Sequence, residues 1–261
     1  MRKNKKLMII ICVLAIMVIG SFGTLAYLTD TAGVTNTFTV GKVDISMDET
    51  KVDAEGNPVD EDDQPLGEGE DPIRVTDGNE YRLVPGAEYL KDPTIKVIAG
   101  SEKSYVRMIL TVTNYSVLDG LLKKYNITDY ADMLDWDKDN TVWKYVGYNI
   151  DTTADTISFE FRYFANNSAI VDASKSTSDI VLPALFTKLK VPGQFTAEDI
   201  AALQKSDTTT EDDIKVIVEG HAIQVVGFEA KDGKTAEDVA LEAFSGQEED
   251  AASGATVRNE N

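Results

Sequence analysis

Apolar and polar residues alternate along much of the chain, and this period of two predicts strands. The segment 105–112 is the plainest case, since one face is apolar and consists of Val106, Met108, Leu110 and Val112. Two aromatic segments, TVWKYVGYNI (141–150) and TISFEFRYF (156–164), alternate in the same way on either side of DTTAD. This arrangement predicts a β-hairpin with its turn at 151–155.

Further strands are predicted where alternation is shorter. Val34, Phe38 and Val40 alternate with threonines, and after Gly41 the phase shifts to Val43, Ile45 and Met47. The shift predicts a bulge or bend at Gly41 between two strand halves. The other expected strands lie at 94–98, within 179–193 as a strand bent at a proline, and within 212–228.

Helical patterns interrupt the strands at three places. Leucines at helical spacing predict one or two short helices within 116–136. Thr196 with Asp199 three residues later indicates a helix start. The segment from Thr235 to Gly246 repeats this design, with a threonine cap and a glycine stop.

These elements predict an all-β fold: a jelly-roll-like β-sandwich with two or three short helical insertions. We expect a single domain over 27–246, with an acidic solvated loop at 48–80 and the helical insertion at 116–136. The acidic segment 247–261 is expected to be a disordered tail.

The first 26 residues have the order of a secretory signal peptide. Four cations precede an apolar run from Leu7 to Ile19, and small residues follow, so cleavage is expected between Ala26 and Tyr27. An uncleaved membrane anchor is the alternative, because weaker apolar character continues to Leu28. Cleavage predicts a secreted protein, with a signal peptidase as its export partner and membrane contact through the leader alone.

Charge and composition exclude several classes of function. The formal net charge is −20, and loss of the leader's four cations would make it −24. Such a surface repels nucleic acid and anionic lipid headgroups. Cys12 is the one cysteine and lies in the leader, so the mature chain must be held together by its core.

The sequence offers no recognisable catalytic centre, and we expect no enzyme activity. The one histidine, His221, cannot supply a zinc motif with two histidines, and no G-x-S-x-G sequence accompanies it. Its neighbours Ile223 and Val225 alternate with it, which predicts a structural or surface histidine in a strand.

Calcium is the one cofactor for which the sequence has a candidate. The segment DWDKDN places carboxylates at alternate positions, Asp135, Asp137 and Asp139, as in the opening of a calcium loop. The later positions of that loop do not match, since Asn140 replaces glycine and Val146 replaces glutamate. A polar turn is therefore the favoured interpretation, and weak calcium binding at 135–139 or in the acidic stretch from Glu61 to Asp71 stays an open alternative.

Three blocks of sequence carry a family resemblance: LAYLTDTAGVTNTFTVGKVDISM, LVPGAEYLKDPTIKVIAGSEKSYVRMILTV and VEGHAIQVVGF. With the leader, they resemble the TasA/camelysin family of exported proteins of Gram-positive bacteria. The resemblance implies a dedicated signal peptidase, a jelly-roll fold and secreted subunits that assemble into extracellular fibres of the biofilm matrix. Part of that family carries a metallopeptidase label, for which this sequence has no zinc motif.

In fibre-forming members the first mature strand is donated to the neighbouring subunit, which places the donor here at about 27–40. Val34, Phe38 and Val40 would then fill pockets of the neighbour while main-chain groups complete its sheet. Pairing within the same subunit is the alternative. A monomeric cell-surface adhesin that uses the acidic loop and the aromatic hairpin is a further alternative.

Overall fold

The computed structural model describes residues 43–67, 69–128, 130, 142–204 and 214–243, together with a short strand at 29–32. Within these ranges the chain forms twelve strands and three short helices. The strands are β1 (Thr29–Ala32), β2 (Ile45–Thr50), β3 (Arg74–Val75), β4 (Glu88–Leu90), β5 (Thr94–Val97), β6 (Ser104–Thr113), β7 (Trp143–Asp151), β8 (Thr156–Tyr163), β9 (Ile170–Val171), β10 (Ile180–Val181), β11 (Lys188–Lys190) and β12 (Val216–Gln224). The helices are α1 (Tyr115–Lys124), α2 (Ala197–Leu203) and α3 (236–243).

Two antiparallel sheets face each other. The six-stranded sheet runs β1-β12-β6-β8-β7, with β9 also paired to β6, and the four-stranded sheet runs β10-β5-β2-β3. A separate pair, β11 and β4, lies beside them. The fold is therefore an all-β sandwich with short helices, as the sequence predicts.

Alternation places one apolar face of each sheet in a shared core. Met108, Leu110 and Phe161 of the six-stranded sheet are fully buried with Ile95 and Val97 of the four-stranded sheet in one cluster. The hydrophobic effect contributes about 2 kcal/mol for each large side chain buried in this way. The predicted apolar face of segment 105–112 is confirmed, since all four of its residues are buried.

The two sheets pack tightly at Gly220 in β12. A Cβ atom added there would lie 2.7 Å from Cδ1 and 3.0 Å from Cγ1 of Ile95, which is fully buried. The absence of a side chain at residue 220 is what lets Ile95 of the opposite sheet pack against the β12 backbone.

Side-chain caps begin two of the helices. Thr196 Oγ1 accepts from the backbone N–H of Asp199, whose carboxylate accepts from the Thr196 N–H, so the predicted helix start is confirmed as a capping box. Thr235 and Asp238 make the same exchange at the start of α3. The predicted stop at Gly246 lies outside the described residues.

The acidic segment 48–80 has more structure than a solvated loop. It begins within β2, contains β3, and includes two turns of seven residues with the same hydrogen bonds. Asp53 Oδ1 accepts from the N–H groups of residues 55 and 57, and Asp60 Oδ1 accepts from those of residues 62 and 64. The valine that begins each turn, Val52 at 52–58 and Val59 at 59–65, is buried.

Two segments differ from expectation in detail. The strand expected within 179–193 is divided into β10 and β11, because the chain between them leaves the four-stranded sheet and buries Leu182, Leu185 and Phe186. In the region 116–136, α1 ends at Lys124, and most of the rest lies outside the described residues. The hairpin of β7 and β8 forms as predicted.

Candidate functional site

The start of the expected donor segment pairs with β12 of the same chain. β1 runs antiparallel to β12, with Thr29 opposite Ile223 and Ala32 opposite Gly220. The other donor residues, Val34, Phe38 and Val40, lie outside the described residues, as do Ala26 and Tyr27 at the expected cleavage site. Four residues of the donor segment are thus seen in the pairing within one subunit.

β1 occupies one end of the six-stranded sheet. Its partner β12 is bonded on the opposite side to β6 over nine residue pairs, from Val216 with Val112 to Gln224 with Ser104. Departure of β1 would therefore leave the main-chain groups of residues 220–223 open, while β12 stays fixed to the core through β6.

The one histidine of the chain lies at this edge. His221 of β12 stands opposite Thr31 of β1 on one side and Arg107 of β6 on the other. Arg107 Nε donates a hydrogen bond to His221 Nδ1 at 3.1 Å, and both side chains are buried. Burial, with the adjacent Arg107 charge, lowers the pKa of His221 to about 4, so the imidazole is neutral at pH 7.

The Arg107–His221 pair continues into a chain of charges that holds α3. Arg107 Nη1 lies 4.0 Å from the Glu160 carboxylate, which accepts from Arg162 Nε at 2.8 Å. Arg162 Nη1 in turn donates to Asp238 of α3 at 2.8 Å. Beside these charges, a second apolar cluster packs α3 on the sheet and contains Tyr105, Ile223, Phe228, Ala240 and Leu241. The outer face of the six-stranded sheet is therefore partly covered by the C-terminal helix.

An open groove of about 510 Å³ lies next to this chain of charges. It crosses the outer faces of β6, β8 and β12, with Ile109 between the carboxylate residues Glu160 and Glu219. Thr111 and Ser158, whose hydroxyl oxygens are 2.8 Å apart, line the same groove. A mixed surface of this kind offers hydrogen bonds around a small apolar centre.

The aromatic residues of the hairpin divide between core and surface. Trp143 is buried and donates from Nε1 to the carbonyl of Pro183 at 2.9 Å. Tyr145 and Tyr148 of β7 are 44% and 63% exposed, although their rings lie near Phe161 and Phe159. β7 ends the sheet opposite β1 and is irregular at 145–147.

None of the described residues forms a cluster suited to a metal ion. No group of three or more histidine, cysteine, aspartate or glutamate side chains comes together within the described ranges. His221 does not fit a catalytic metal, because its Nδ1 accepts from Arg107 and that guanidinium would repel a cation. The calcium candidates Asp135, Asp137 and Asp139 lie outside the described residues.

The polar network of the outer face was only partly visible in the sequence. Alternation places Arg107 on the face opposite the core, but a single arginine among apolar residues does not indicate its partner. The contact with His221 depends on the register of β6 against β12, which are separated by more than a hundred residues. Strands so far apart in the sequence carry no local pattern that indicates their pairing.

Similarity to known proteins is confined to the start of the chain. Residues 1–57 match the model of a family described as camelysin metallo-endopeptidase. The chain has no significant match among curated proteins or solved structures. Across the described residues, no helix has the length and apolar character needed to cross a membrane. The match confirms, over these first 57 residues, the resemblance of the chain to the TasA/camelysin family.

Proposed function

We propose that the protein is a secreted structural subunit that assembles into extracellular fibres by exchanging its N-terminal strand. The observation that supports this proposal is the pairing of β1, the end strand of the six-stranded sheet, with β12. A terminal strand at a sheet edge can leave its own subunit and make the same main-chain hydrogen bonds to a neighbour. The family match at residues 1–57 includes this strand.

Strand exchange is expected to keep the same β1–β12 contacts, now between subunits, and to extend the assembly by one subunit at a time. Because donor and acceptor are the same segments in the closed and exchanged states, the free-energy difference between the two states is small. Each subunit then donates to the next, which makes a head-to-tail interface that need not close into a ring. Self-repulsion of the acidic chains opposes assembly, so salt or divalent cations should favour it.

Deletion of residues 27–40 tests the proposal directly. The mature protein should form filaments in negative-stain electron microscopy, whereas the shortened protein should remain a folded monomer. Circular dichroism establishes that the shortened domain is folded, because β2 to β12 carry the core. Filaments from the shortened protein, or monomers from the mature protein at every salt concentration and pH, would contradict strand exchange.

The family description provides a second candidate, a metallo-endopeptidase. Chelator-sensitive cleavage of casein by the purified protein would support it. The environment of His221 predicts no such activity from the described part of the chain, and a His221→Ala variant that keeps full cleavage would exclude this residue as a ligand. The adhesin alternative stays a prediction, with Tyr145 and Tyr148 as its exposed aromatic residues.

A further inference from the structure

A trio of side chains, of which Glu49 and Lys91 are buried and Asn79 is half-buried, lies on the far side of the sandwich from His221. Glu49 of β2 and Lys91, which follows β4, form an ion pair in which Lys91 Nζ donates to Glu49 Oε2 at 2.8 Å. Both side chains are only 8% exposed. Asn79, from the segment after β3, donates from Nδ2 to the other carboxylate oxygen, Oε1, also at 2.8 Å. One carboxylate thus holds an amine and a primary amide side by side.

The orientation of the Asn79 amide is fixed by its surroundings. Its Oδ1 accepts from the backbone N–H of Val52 at 2.9 Å, and its Nδ2 also donates to the carbonyl of Thr50 at 2.8 Å. A backbone N–H can only donate and a carbonyl can only accept, so the amide cannot be reversed. The Val52 N–H is therefore aimed at the oxygen on which negative charge would develop during attack at the Asn79 amide carbon.

Two aromatic side chains lie beside the ion pair. Lys91 Nζ lies 6.0 Å from the centroid of the Tyr81 ring, which stacks edge-on against the buried Tyr89. Burial, together with the nearby Glu49 charge, raises the pKa of Tyr81. Burial of the Glu49–Lys91 pair limits the access of water to the amine, and the shared carboxylate holds the Asn79 amide beside it.

We propose that Lys91 and Asn79 condense to an isopeptide bond, with Glu49 as the proton carrier. Glu49 takes a proton from the Lys91 ammonium, and the neutral amine attacks Cγ of Asn79. The resulting oxyanion faces the N–H of Val52. The Cγ–Nδ2 bond then breaks, Nδ2 takes up the two protons that Nζ has lost, and it departs as ammonium. The reaction converts one ammonium and one amide into an amide and an ammonium, and it requires no oxidant.

Such a bond would give the chain beyond Cys12, which contains no cysteine, a covalent link. It would join the segment after β3 to the end of β4 and close a loop between residues 79 and 91. A link of this type is insensitive to reducing agents and limits the unfolded ensemble, as a disulfide does. The inference is independent of fibre assembly, since it concerns a site within one subunit.

Intact-mass spectrometry of the purified full chain tests the proposal. The measured mass should fall below the sequence mass, counted from the observed N-terminus, by one ammonia. Trypsin should then yield a branched peptide in which 75–82 is joined to 83–96 through Asn79 and Lys91, because the modified Lys91 is no longer a cleavage site. A mass equal to the sequence mass, or separate peptides 75–82 and 83–91, would overturn the proposal.

Three variants separate the isopeptide from other losses of ammonia. Lys91→Arg keeps the cation but cannot form the bond, so the full sequence mass should return. Cyclisation of an asparagine to a succinimide also loses ammonia, but that loss would persist in Lys91→Arg and would therefore contradict the proposal. Glu49→Gln should likewise give the unlinked mass. Lys96→Arg is the matched control, since Lys96 pairs with Asp48 nearby and should leave the link intact.

Discussion

Arg107 and His221 face each other across neighbouring antiparallel strands, and the guanidinium Nε donates to the imidazole Nδ1 at 3.1 Å. The donor is a permanent cation, so the acceptor nitrogen must be unprotonated. Protonation of His221 would replace this hydrogen bond by two buried positive charges in contact. The residue is thus neutral because of its neighbour as well as its burial.

This contact predicts a stability that depends on pH. The His221 pKa is about 4 in the folded protein and near 6.5 in the unfolded chain, so unfolding takes up a proton between these values. Stability is fully present above pH 6.5 and should fall by on the order of 3 kcal/mol as the pH decreases through 4. Urea unfolding at a series of pH values measures this loss.

The control for the pH series is a His221→Gln variant, which cannot titrate. Other charged groups lie near His221, namely Glu160, Arg162 and Asp238, and acid can also change the charge of carboxylates elsewhere in the chain. The difference in unfolding free energy between the wild type and the variant at each pH gives the contribution of His221. Parallel curves for the wild type and the variant would show that His221 is not the responsible group.

Strand exchange predicts that one pair of engineered cysteines forms a disulfide within the subunit in the monomer and between subunits in the filament. Asp30 and Ala222 are register partners in β1 and β12. In a Cys12→Ser background, oxidation of the Asp30→Cys, Ala222→Cys monomer should give a link within the subunit. Oxidation after filament formation should give a ladder of linked subunits in a denaturing gel. Single-cysteine variants are the controls, and links within the subunit in both states would argue against exchange.

The close packing at Gly220 predicts that adding a side chain there destabilises the sandwich. Gly220→Ala should lower the free energy of unfolding by about 1 to 3 kcal/mol, because the new methyl group meets Ile95 at 2.7 Å. Gly147→Ala in β7 is the matched control, since no atom lies within 4 Å of its added Cβ. Denaturant midpoints compare the two variants. Addition of Ile95→Val should restore part of the loss, and an unchanged Gly220→Ala protein would show that the sheets can move apart freely.

At Arg74, we expect the planar shape of the guanidinium to contribute to stability in addition to its charge. Its Nε donates to Asp48 Oδ1 at 2.7 Å, its Nη1 pairs with Asp92, and its Nη2 donates to the carbonyl of Asp48. Lysine cannot reproduce this planar fork, so Arg74→Lys should cost about 1 to 3 kcal/mol of stability. Thermal unfolding of this variant and of Arg82→Lys, at an exposed pair, gives the comparison. Equal effects at both positions would contradict a role for the fork.

Local patterns accounted for much of the fold. Alternation identified both faces of β6, and the spacing of Thr196 and Asp199 identified the start of α2, because each depends on residues close in sequence. The break between β10 and β11 was missed because a run of apolar residues reads alike in a strand and in a buried connection. The seven-residue turns were missed because their Asp-backbone bonds leave no hydrophobic period.

The candidate sites depended on contacts that sequence alone does not specify. The Arg107–His221 pair and the trio of Glu49, Asn79 and Lys91 bring together residues from separate elements, and nothing in their local sequence distinguishes them from surface residues. They are recognised as candidate sites only from their burial and from the strand register that brings them together. The donor residues Val34, Phe38 and Val40 and the calcium candidates stay predictions, since they lie outside the described residues.

The two ends of the six-stranded sheet are unlike, and this difference bears on the shape of any assembly. At one end β1 pairs over four residues, whereas at the other β7 is irregular at 145–147, and such irregularity disfavours pairing with a foreign strand. Growth through β1 would therefore proceed along one axis without lateral fusion of sheets. The expected product is a slender, unbranched filament rather than a broad ribbon.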